Sequence, residues 1–234
     1  MPYCKFILPT APTQPVTMNM GMSMPSWYDI VGLDERSNEN CKGIQESRST
    51  IHNILETEHA NTKLKFSRMV LMGFSQGGAL SLFSGLSLKP EQKLAGIIVL
   101  SGYLAARKSF QLTEGLEDTP IFHGHGKQDP MVLHTMAQKT QMALQAIGVS
   151  NYKLKSYDGL QHSLNPLEIQ DVQNFLLEKI PPDSSQCIAV KDPSEMSIKE
   201  LKRAIKNAGL GSRALGLMEK SEYVNLLKEF RSNK

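Results

Sequence analysis

The sequence predicts an α/β domain built on a mostly parallel sheet, followed by a small helical module. Apolar runs of strand length alternate with amphipathic patterns of helix length along most of the chain, which is typical of parallel strands covered by helices. The run from Ile97 to Leu100 is uninterrupted, as expected of a strand that is buried on both faces. Near residue 181 the composition becomes polar and rich in proline, which predicts the end of this domain.

The predicted elements follow one another in a regular order. A short strand at Phe6–Leu8 leads into a long loop rich in Pro, Thr and Met that ends near Asp29. Residues 43–58 then repeat apolar side chains at helical spacing. The remaining predicted strands are 68–72, 95–100, 119–122 and 152–157, and the remaining helices are 78 to about 88, 132–147 and 167–180.

A polar stretch that begins at Pro181 stops the last of these helices. Ser197 and Glu200 stand three residues apart, which is the pattern of a capping box at the start of a helix. A second short helix is predicted from about Ser221 to Phe230. The predicted organisation is a domain over 1–182, a linker over 183–195 and a helical module over 196–234.

Composition excludes several classes of protein. The chain has 234 residues, of which 40% are hydrophobic and 21% charged, and a net charge of +3 is too small to argue for nucleic acid or a membrane surface. No apolar run approaches the length of a membrane span, and no signal peptide is visible. Cys4, Cys41 and Cys187 are odd in number and form no CxxC pair, so free thiols and a cytoplasmic location are predicted.

The run Gly73-Phe74-Ser75-Gln76-Gly77 is the most informative motif in the chain. It places Ser75 between a predicted strand and a predicted helix, where a nucleophilic serine occupies a sharp turn. Such a turn needs neighbours without bulky side chains, and Gly73 and Gly77 meet that need, while Gly78 lets the helix pack close to the sheet. The pattern alone arises by chance in roughly one chain in ten of this length, so the strand–turn–helix context carries the prediction.

Partners for a catalytic serine are sought later in the chain, after other strands. Asp129 follows the predicted strand that ends at residue 122, and His162 follows the strand 152–157. In the order Ser, Asp, His, the imidazole takes the serine proton and the carboxylate holds the imidazole tautomer. Taken singly, Asp129 fits a turn residue and His162 a polar loop residue equally well. Their order and placement together favour a triad.

Further stretches accompany the sharp turn at Ser75, which we call the nucleophile elbow, and the candidate triad. They are Pro9–Pro12, Pro15–Met20, Met24–Ile30, Leu94–Gly96, Leu100–Leu104, His125-Gly126, Asp129-Pro130 and Gly159–His162. With these stretches, residues 3–182 resemble the acyl-protein thioesterases of the phospholipase/carboxylesterase branch of the α/β-hydrolases.

The resemblance implies an α/β-hydrolase fold and a serine hydrolase mechanism without metal or cofactor. It assigns Ser75, Asp129 and His162 to the catalytic triad, and it makes the backbone N–H of Gln76 an oxyanion donor. The family removes long-chain acyl groups, such as palmitoyl, from protein cysteines and also acts on lysophospholipids and simple esters. Substrates of this kind imply transient contact with membranes.

One departure from the family concerns the segment that precedes the equivalent of Tyr3. Members carry their first strands there and a His-Gly-x-Gly-Asp loop that supplies a second oxyanion donor, and no HGxGD occurs in these 234 residues. We therefore expect a sheet that lacks its first strands, and a shortened gene model or fragment explains this best. The alternative interpretation is a catalytically impaired, hydrolase-like interaction protein, because losing one oxyanion donor typically costs about 10²–10³ in rate.

Three residues are assigned to substrate binding, namely Trp27, Met24 and Leu104. Trp27 is the only tryptophan and suits the floor of an acyl pocket, although such a residue is as often part of the core. Met24 belongs to a methionine-rich loop that suits adaptable contact with lipid, although an exposed mobile loop explains it equally well.

Two other candidate sites are rejected. His123 and His125 near Asp129 suggest a metal, but they lack the expected ligand spacing and we expect them on opposite faces of a strand, so no metal is predicted. Ser101 also follows a strand but lacks glycines on both sides, which makes it a poor rival to Ser75.

Residues 195–232 resemble a SAP-like helix–loop–helix, in Leu201-Lys202, Gly209 and Gly216–Glu222. Related modules bind nucleic acid or proteins. The basic residues are Lys199, Lys202, Arg203, Lys206 and Arg213. A charge-rich helix is usually a solvated face, so interaction with a protein or a spacer role is predicted ahead of nucleic-acid binding.

Overall fold

Strands and helices alternate through most of the computed structural model, which describes residues 3–32, 39, 41–183 and 191–232. The elements in chain order are β1 (Thr13–Val16), β2 (Met22–Pro25), α1 (Ile44–Thr62), β3 (Val70–Phe74), α2 (Gln76–Gly85), β4 (Gly96–Leu100), β5 (Ile121–Gly126), α3 (His134–Ala146), β6 (Tyr152–Tyr157), α4 (Pro166–Lys179), α5 (Ile198–Asn207) and α6 (Lys220–Ser232). The chain divides into two compact units, residues 1–186 and 187–234.

The central sheet of the first unit contains four parallel strands in the order β3-β4-β5-β6. Every residue of β4 and β5 is buried, which explains the continuous apolar sequence of β4. Parallel strands align their carboxyl ends at one edge of the sheet, and the loops after β3, β5 and β6 therefore meet there. The predicted mostly parallel α/β fold is confirmed.

Helices cover both faces of this sheet. On one face, Ile97 and Val99 belong to the main core, which includes α2 residues such as Leu82 and Phe83. On the other face, Ile98 of β4 belongs to a smaller cluster with the α4 residues Val172, Leu176 and their neighbours. This alternation of odd and even residues follows from the two-residue period of a strand.

The N-terminal region differs from the prediction. The segment Phe6–Leu8 forms no strand and is exposed, so that prediction is wrong. The predicted loop instead contains an antiparallel hairpin in which β1 pairs with β2, and its turn uses positive φ at Met20 (56°) and Gly21 (75°). Each strand of the hairpin contains a proline, which is tolerated in a strand only at edges or ends. The sequence therefore does not indicate strands here.

Strand β3 lies at the edge of the four-stranded sheet formed by the described residues. Met72 and Phe74 on this strand are 48% and 37% exposed, which is unusual for large apolar side chains beside a buried strand. Among the described residues, no strand pairs with the outer side of β3.

The second unit has its own core between α5 and α6. Ser197 caps α5 in a capping box with Glu200, as the sequence predicts. Leu201 is fully buried, and it packs with Ile205 and the α6 residue Leu227 among others. The boundary between domain and linker stays a prediction.

Candidate active site

Ser75 occupies the sharp turn between β3 and α2. Its backbone has φ 53° and ψ −118°, a conformation that costs a residue other than glycine about 1–3 kcal/mol. Two hydrogen bonds hold the turn in place. The Ser75 N–H donates to the carbonyl oxygen of Leu100 at the end of β4 (2.8 Å), and the Ala79 N–H donates to the Ser75 carbonyl (3.1 Å). The structure thus presents Ser75 on a strained elbow.

The glycines of this elbow are not equivalent. A Cβ at Gly73 would lie 2.1 Å from the carbonyl group of Gly77, so the turn closes only if residue 73 has no side chain. A Cβ at Gly78 would lie 3.0 Å from the Gly73 carbonyl oxygen and 3.1 Å from a Val99 methyl group. A Cβ at Gly77 would meet nothing within 4 Å. The expectation that Gly77 is required for steric reasons is therefore wrong.

Asp129 and His162 form a carboxylate–imidazole pair in which the carboxylate is buried and the imidazole is half-buried. The His162 Nδ1 lies 2.7 Å from the Asp129 Oδ2. The other carboxylate oxygen, Oδ1, accepts the backbone N–H groups of Met131 and Val132, each at 2.9 Å. Because Nδ1 donates to the carboxylate, a neutral imidazole leaves its Nε2 unprotonated and able to accept a proton.

The same imidazole lies next to the elbow. The ring centroids of Phe74 and His162 are 4.7 Å apart, and Phe74 directly precedes Ser75. Ser75 follows β3, Asp129 follows β5 and His162 follows β6. The structure therefore brings the three predicted residues to one edge of the sheet, with His162 bonded to Asp129 and beside the turn that carries Ser75.

The backbone N–H of Gln76 is available to an oxyanion at this edge. Gln76 is the first residue of α2, and the first N–H groups of a helix have no partner within the helix. The positive end of the helix dipole adds to the attraction for a negative charge. The Gln76 N–H, which the sequence predicts as an oxyanion donor, thus belongs to the helix N-terminus directly after Ser75.

A second network lies beneath the site, in β5. The His123 Nε2 and the His125 Nδ1 are 3.2 Å apart. The expectation that these histidines point to opposite faces is wrong, because residues two apart on a strand project to the same side. No group of three His, Cys, Asp or Glu side chains in the described part of the chain has the arrangement of a metal site.

The directions of the hydrogen bonds in this network follow from its end. The His125 Nε2 lies 2.7 Å from the Val132 carbonyl oxygen and must donate to it, so Nδ1 accepts from His123. The remaining nitrogen of His123 then accepts from the Tyr152 hydroxyl. Burial lowers the pKa of His125 and holds the pKa of His123 well below its usual range. Both rings are therefore neutral supports of the loop that carries Asp129.

The residues predicted to bind substrate occupy different environments. Trp27 is half-buried against the main core, and Met24 is 39% exposed on the hairpin. Leu104 is only 6% exposed and belongs to the main core, so its contact with substrate is not supported. Ser101 is fully buried, which removes it as a rival nucleophile.

A surface cavity of about 450 Å³ lies beside Trp27. Its lining includes the charged residues Lys42 and Glu46 and none of the three triad candidates. Charged walls of this kind are unfavourable for a long acyl chain, since a charge pays a large desolvation cost against apolar groups. We therefore do not identify this cavity with an acyl channel.

Sequence reasoning missed two features of the site. The Nε2 of His125 lies 3.5 Å from the Asp129 Oδ2, and the His-Gly pair just before Asp129 was an available signal for it. The side chain of Gln76 is hydrogen-bonded to residues 26–28. Nothing local in the sequence indicates that second contact, because 48 to 50 positions separate the partners.

Comparison with known proteins places the first unit in a family. The model of the Phospholipase/Carboxylesterase family matches residues 1–180. The chain is 41% identical over 186 residues to acyl-protein thioesterase 1 of Neurospora crassa, an alignment that covers 76% of this chain and 74% of the relative. It is 38% identical over 190 residues to acyl-protein thioesterase 1 of Emericella nidulans, covering 76% and 78% of the two chains.

Solved structures agree with these relatives. Arabidopsis thaliana SOBER1 superposes with a TM-score of 0.64 at 32% identity, over 74% of this chain and 83% of that one. Zea mays acyl-protein thioesterase 2 superposes with a TM-score of 0.61 at 30% identity, over 74% and 80%. Within the described ranges, none of the helices combines the length and apolar character needed to cross a bilayer.

Proposed function

The chain belongs to the phospholipase/carboxylesterase family of hydrolases, and we propose that it removes long-chain acyl groups, such as palmitoyl, from the cysteines of S-acylated proteins. The observation that carries this proposal is the pairing of a strained serine elbow with a bonded Asp129–His162 pair at the same sheet edge. The names of the fungal relatives and of the maize structure support the substrate class.

In the proposed mechanism, Ser75 Oγ attacks the carbonyl carbon of the thioester while the His162 Nε2 takes its proton. The carbonyl oxygen becomes an oxyanion that the Gln76 N–H stabilises. When the carbon–sulfur bond breaks, the imidazolium gives its proton to the departing cysteine thiolate. A water molecule then attacks the acyl-serine with His162 again as base, which releases the fatty acid and restores the Ser75 hydroxyl.

Each supporting group has a defined part in this sequence. Asp129 accepts from the His162 Nδ1 and so keeps the Nε2 free to take the proton. Its negative charge also stabilises the imidazolium that forms after the transfer. The two backbone N–H groups bonded to its Oδ1 hold the carboxylate in place for this role. None of these steps needs a metal or an organic cofactor.

Trp27 and Met24 are the proposed contacts for the acyl chain. Met24 lies on the hairpin with Met18, Met20 and Met22, and all four side chains are exposed. Methionine adapts its shape to irregular apolar partners, which supports contact with acyl chains of a membrane-bound substrate. Lysophospholipids and simple esters are proposed as secondary substrates, because the same acyl group and carbonyl chemistry are presented.

The second oxyanion donor is unassigned within these 234 residues, which contain no HGxGD. With the Gln76 N–H alone, we expect turnover about 10²–10³ below that of a site with two donors. The hairpin segment Thr17–Met24 is the first place to seek another donor, because the segment that follows it is bonded to Gln76.

The proposal also includes a cytoplasmic location and a protein-binding role for the C-terminal tail, residues 196–234. Among the described residues, Cys4 and Cys41 form no disulfide with each other or with another cysteine, which supports a reducing compartment. In the tail, several basic side chains are already engaged, for example Arg213 with Glu229 (3.1 Å) and Lys202 over the ring of Tyr223 (5.4 Å). Interaction with a protein is therefore proposed for residues 196–234 ahead of nucleic-acid binding.

Hydrolysis of a palmitoylated cysteine peptide by the full chain tests the substrate class, with release of free thiol as the readout. Ser75→Ala should abolish turnover. The matched control is Ser101→Ala, which removes another strand-end serine that also has positive φ (48°) but is buried. This control should keep turnover. Equal loss in both variants, or none in either, would reject Ser75 as the nucleophile.

A further inference from the structure

The side-chain amide of Gln76 is hydrogen-bonded to three consecutive residues of a distant segment. Its Oε1 accepts the backbone N–H of Trp27 (3.0 Å). Its Nε2 donates to the Ser26 hydroxyl and to the Tyr28 carbonyl oxygen, both at 2.8 Å. One acceptor and both donor hydrogens of the amide are thus used, although the partners lie 48 to 50 positions away in the chain.

The segment 26–28 is otherwise held by its own set of contacts. The Trp27 carbonyl accepts from the Ser47 hydroxyl of α1, and the Ser26 carbonyl accepts from the Gln14 side chain (2.7 Å). The hydroxyls of Tyr28 and Tyr103 are 3.0 Å apart in the main core. The contacts to Gln76 tie this segment to the nucleophile elbow, because Gln76 directly follows Ser75.

The chemistry of this junction requires an amide. A carboxylate at position 76 would lose both donor hydrogens and place a negative charge against the Tyr28 carbonyl oxygen. A methionine would keep the length of the side chain and lose all three hydrogen bonds. In both cases the backbone N–H of residue 76 remains, so the side chain can be tested separately from the oxyanion donor.

We propose that Gln76 is a positioning residue, whose side chain fixes the place of Trp27 relative to Ser75 and thereby sets the preference for long acyl chains. The part that concerns acyl preference rests on the proposed function. The part that concerns position does not, because the three hydrogen bonds tie the backbone around Trp27 to the nucleophile elbow irrespective of the substrate.

Trp27 reports on its own position, because it is the single tryptophan of the chain. In Gln76→Met and Gln76→Glu, the proposal predicts a red-shifted tryptophan emission and stronger quenching by acrylamide. Ser26→Ala, which removes one partner of the amide, should move both signals in the same direction by less. The matched control is Gln92→Met, since Gln92 is a buried glutamine with side-chain hydrogen bonds outside this site.

Unchanged emission and quenching in Gln76→Met and Gln76→Glu would overturn the positioning role. An equal change in Gln92→Met would overturn it too, since the signal would then report general loosening. Circular dichroism of each variant shows whether the fold is retained, and Ser26→Ala keeps the test valid if a position-76 variant fails to fold.

A double-mutant cycle tests whether this position controls acyl preference. The ratio of kcat/KM for palmitoyl and butyryl thioesters should fall about tenfold in Gln76→Met, as expected when contacts worth one or two hydrogen bonds are lost. Trp27→Ala should lower the same ratio, and adding Gln76→Met to it should cause no further loss.

Additive effects of the two substitutions would overturn this part of the inference, because Gln76 would then act independently of Trp27. If the unmodified chain cleaves no thioester, the proposed function fails instead. The fluorescence experiment still decides the positioning role in that case.

Discussion

Asp129 accepts the Nδ1 hydrogen of His162 across 2.7 Å through one carboxylate oxygen, while its other oxygen accepts two backbone N–H groups. The carboxylate is therefore held by its own loop and does not depend on the imidazole for its orientation. One oxygen of Asp129 thus serves the loop, and the other serves His162.

Asp129→Asn should lower kcat by about 10⁴ while leaving the fold intact, because an amide that keeps its oxygen toward the loop turns its NH₂ toward His162 and favours the wrong tautomer. The measurement is steady-state hydrolysis of an activated ester together with thermal unfolding. Asp158→Asn is the matched control, since Asp158 is an exposed carboxylate paired with Lys127 (2.9 Å) in the loop that carries His162. Similar losses in both variants would contradict the assignment.

Gly73→Ala and Gly77→Ala should differ sharply although they flank the same serine. The first places a methyl group 2.1 Å from backbone atoms and should prevent the elbow from closing, with a loss of stability above about 3 kcal/mol or failure to fold. The second meets open space and should leave the unfolding temperature unchanged or slightly raised. Equal sensitivity at the two positions, measured by thermal unfolding, would show that the elbow is formed differently.

Glu168 on α4 predicts a pH dependence of stability. Its side chain is fully buried, neither carboxylate oxygen has a hydrogen-bond partner among the described residues, and it lies against the backbone at Gly124. Burial, reinforced by the negative charge of Asp171, raises the pKa of Glu168 to about 7 from its ordinary value of 4.5. The folded state therefore binds the proton more tightly than the unfolded state does.

Because the folded-state pKa is raised, the free energy of unfolding should decrease as the pH rises from about 4.5 to about 7 and stay low above that range. Glu168→Gln should remove this slope and stabilise the protein at pH 8 by roughly 2–3 kcal/mol. Urea unfolding at pH 5 and pH 8 measures both effects. Glu178→Gln, an exposed carboxylate on the same helix, should change neither. Retention of the slope in Glu168→Gln would assign it to another group.

Substitutions that destabilise the second unit should leave the catalytic activity unchanged. Leu201→Ala truncates a fully buried side chain in the core of the second unit and should cost that unit about 2–5 kcal/mol. Leu215→Ala, at a site that is 81% exposed, is the control and should be nearly neutral. Segment-resolved hydrogen exchange measures the stability of α5 and α6, and ester turnover by the same samples should be equal. If ester turnover fell together with the hydrogen-exchange protection of α5 and α6, catalysis would depend on the second unit, which would contradict this prediction.

The sequence predicted those parts of the molecule that depend on local pattern. The apolar runs of β3 and β4, the alternating sequence of β6 and the capping box of Ser197 are local signals. The strand-end positions of Asp129 and His162 follow from the strands themselves. The order Ser75, Asp129, His162 suggested the role of each residue in the proposed triad, and the resemblance assigned the same roles.

The features that escaped prediction depend on contacts between distant residues or on details of a turn. The prolines of the hairpin β1–β2 argue against strands there, so the sequence did not predict it. The segment Phe6–Leu8 is apolar, but none of the described strands pairs with it. The freedom at Gly77 follows from the direction in which its Cβ would point, which no sequence pattern encodes. The bonds of the Gln76 side chain join segments that only the folded chain brings together.

Covalent labelling by a fluorophosphonate tests the central claim most directly, because the probe reacts with a serine only when a neighbouring base activates it. We predict a single adduct on the peptide that contains Ser75, located by mass spectrometry and absent from Ser75→Ala and from His162→Ala. Labelling that persists in Ser75→Ala, or a chain that remains unlabelled at high probe concentration while correctly folded, would contradict the assignment of this elbow as a working nucleophile.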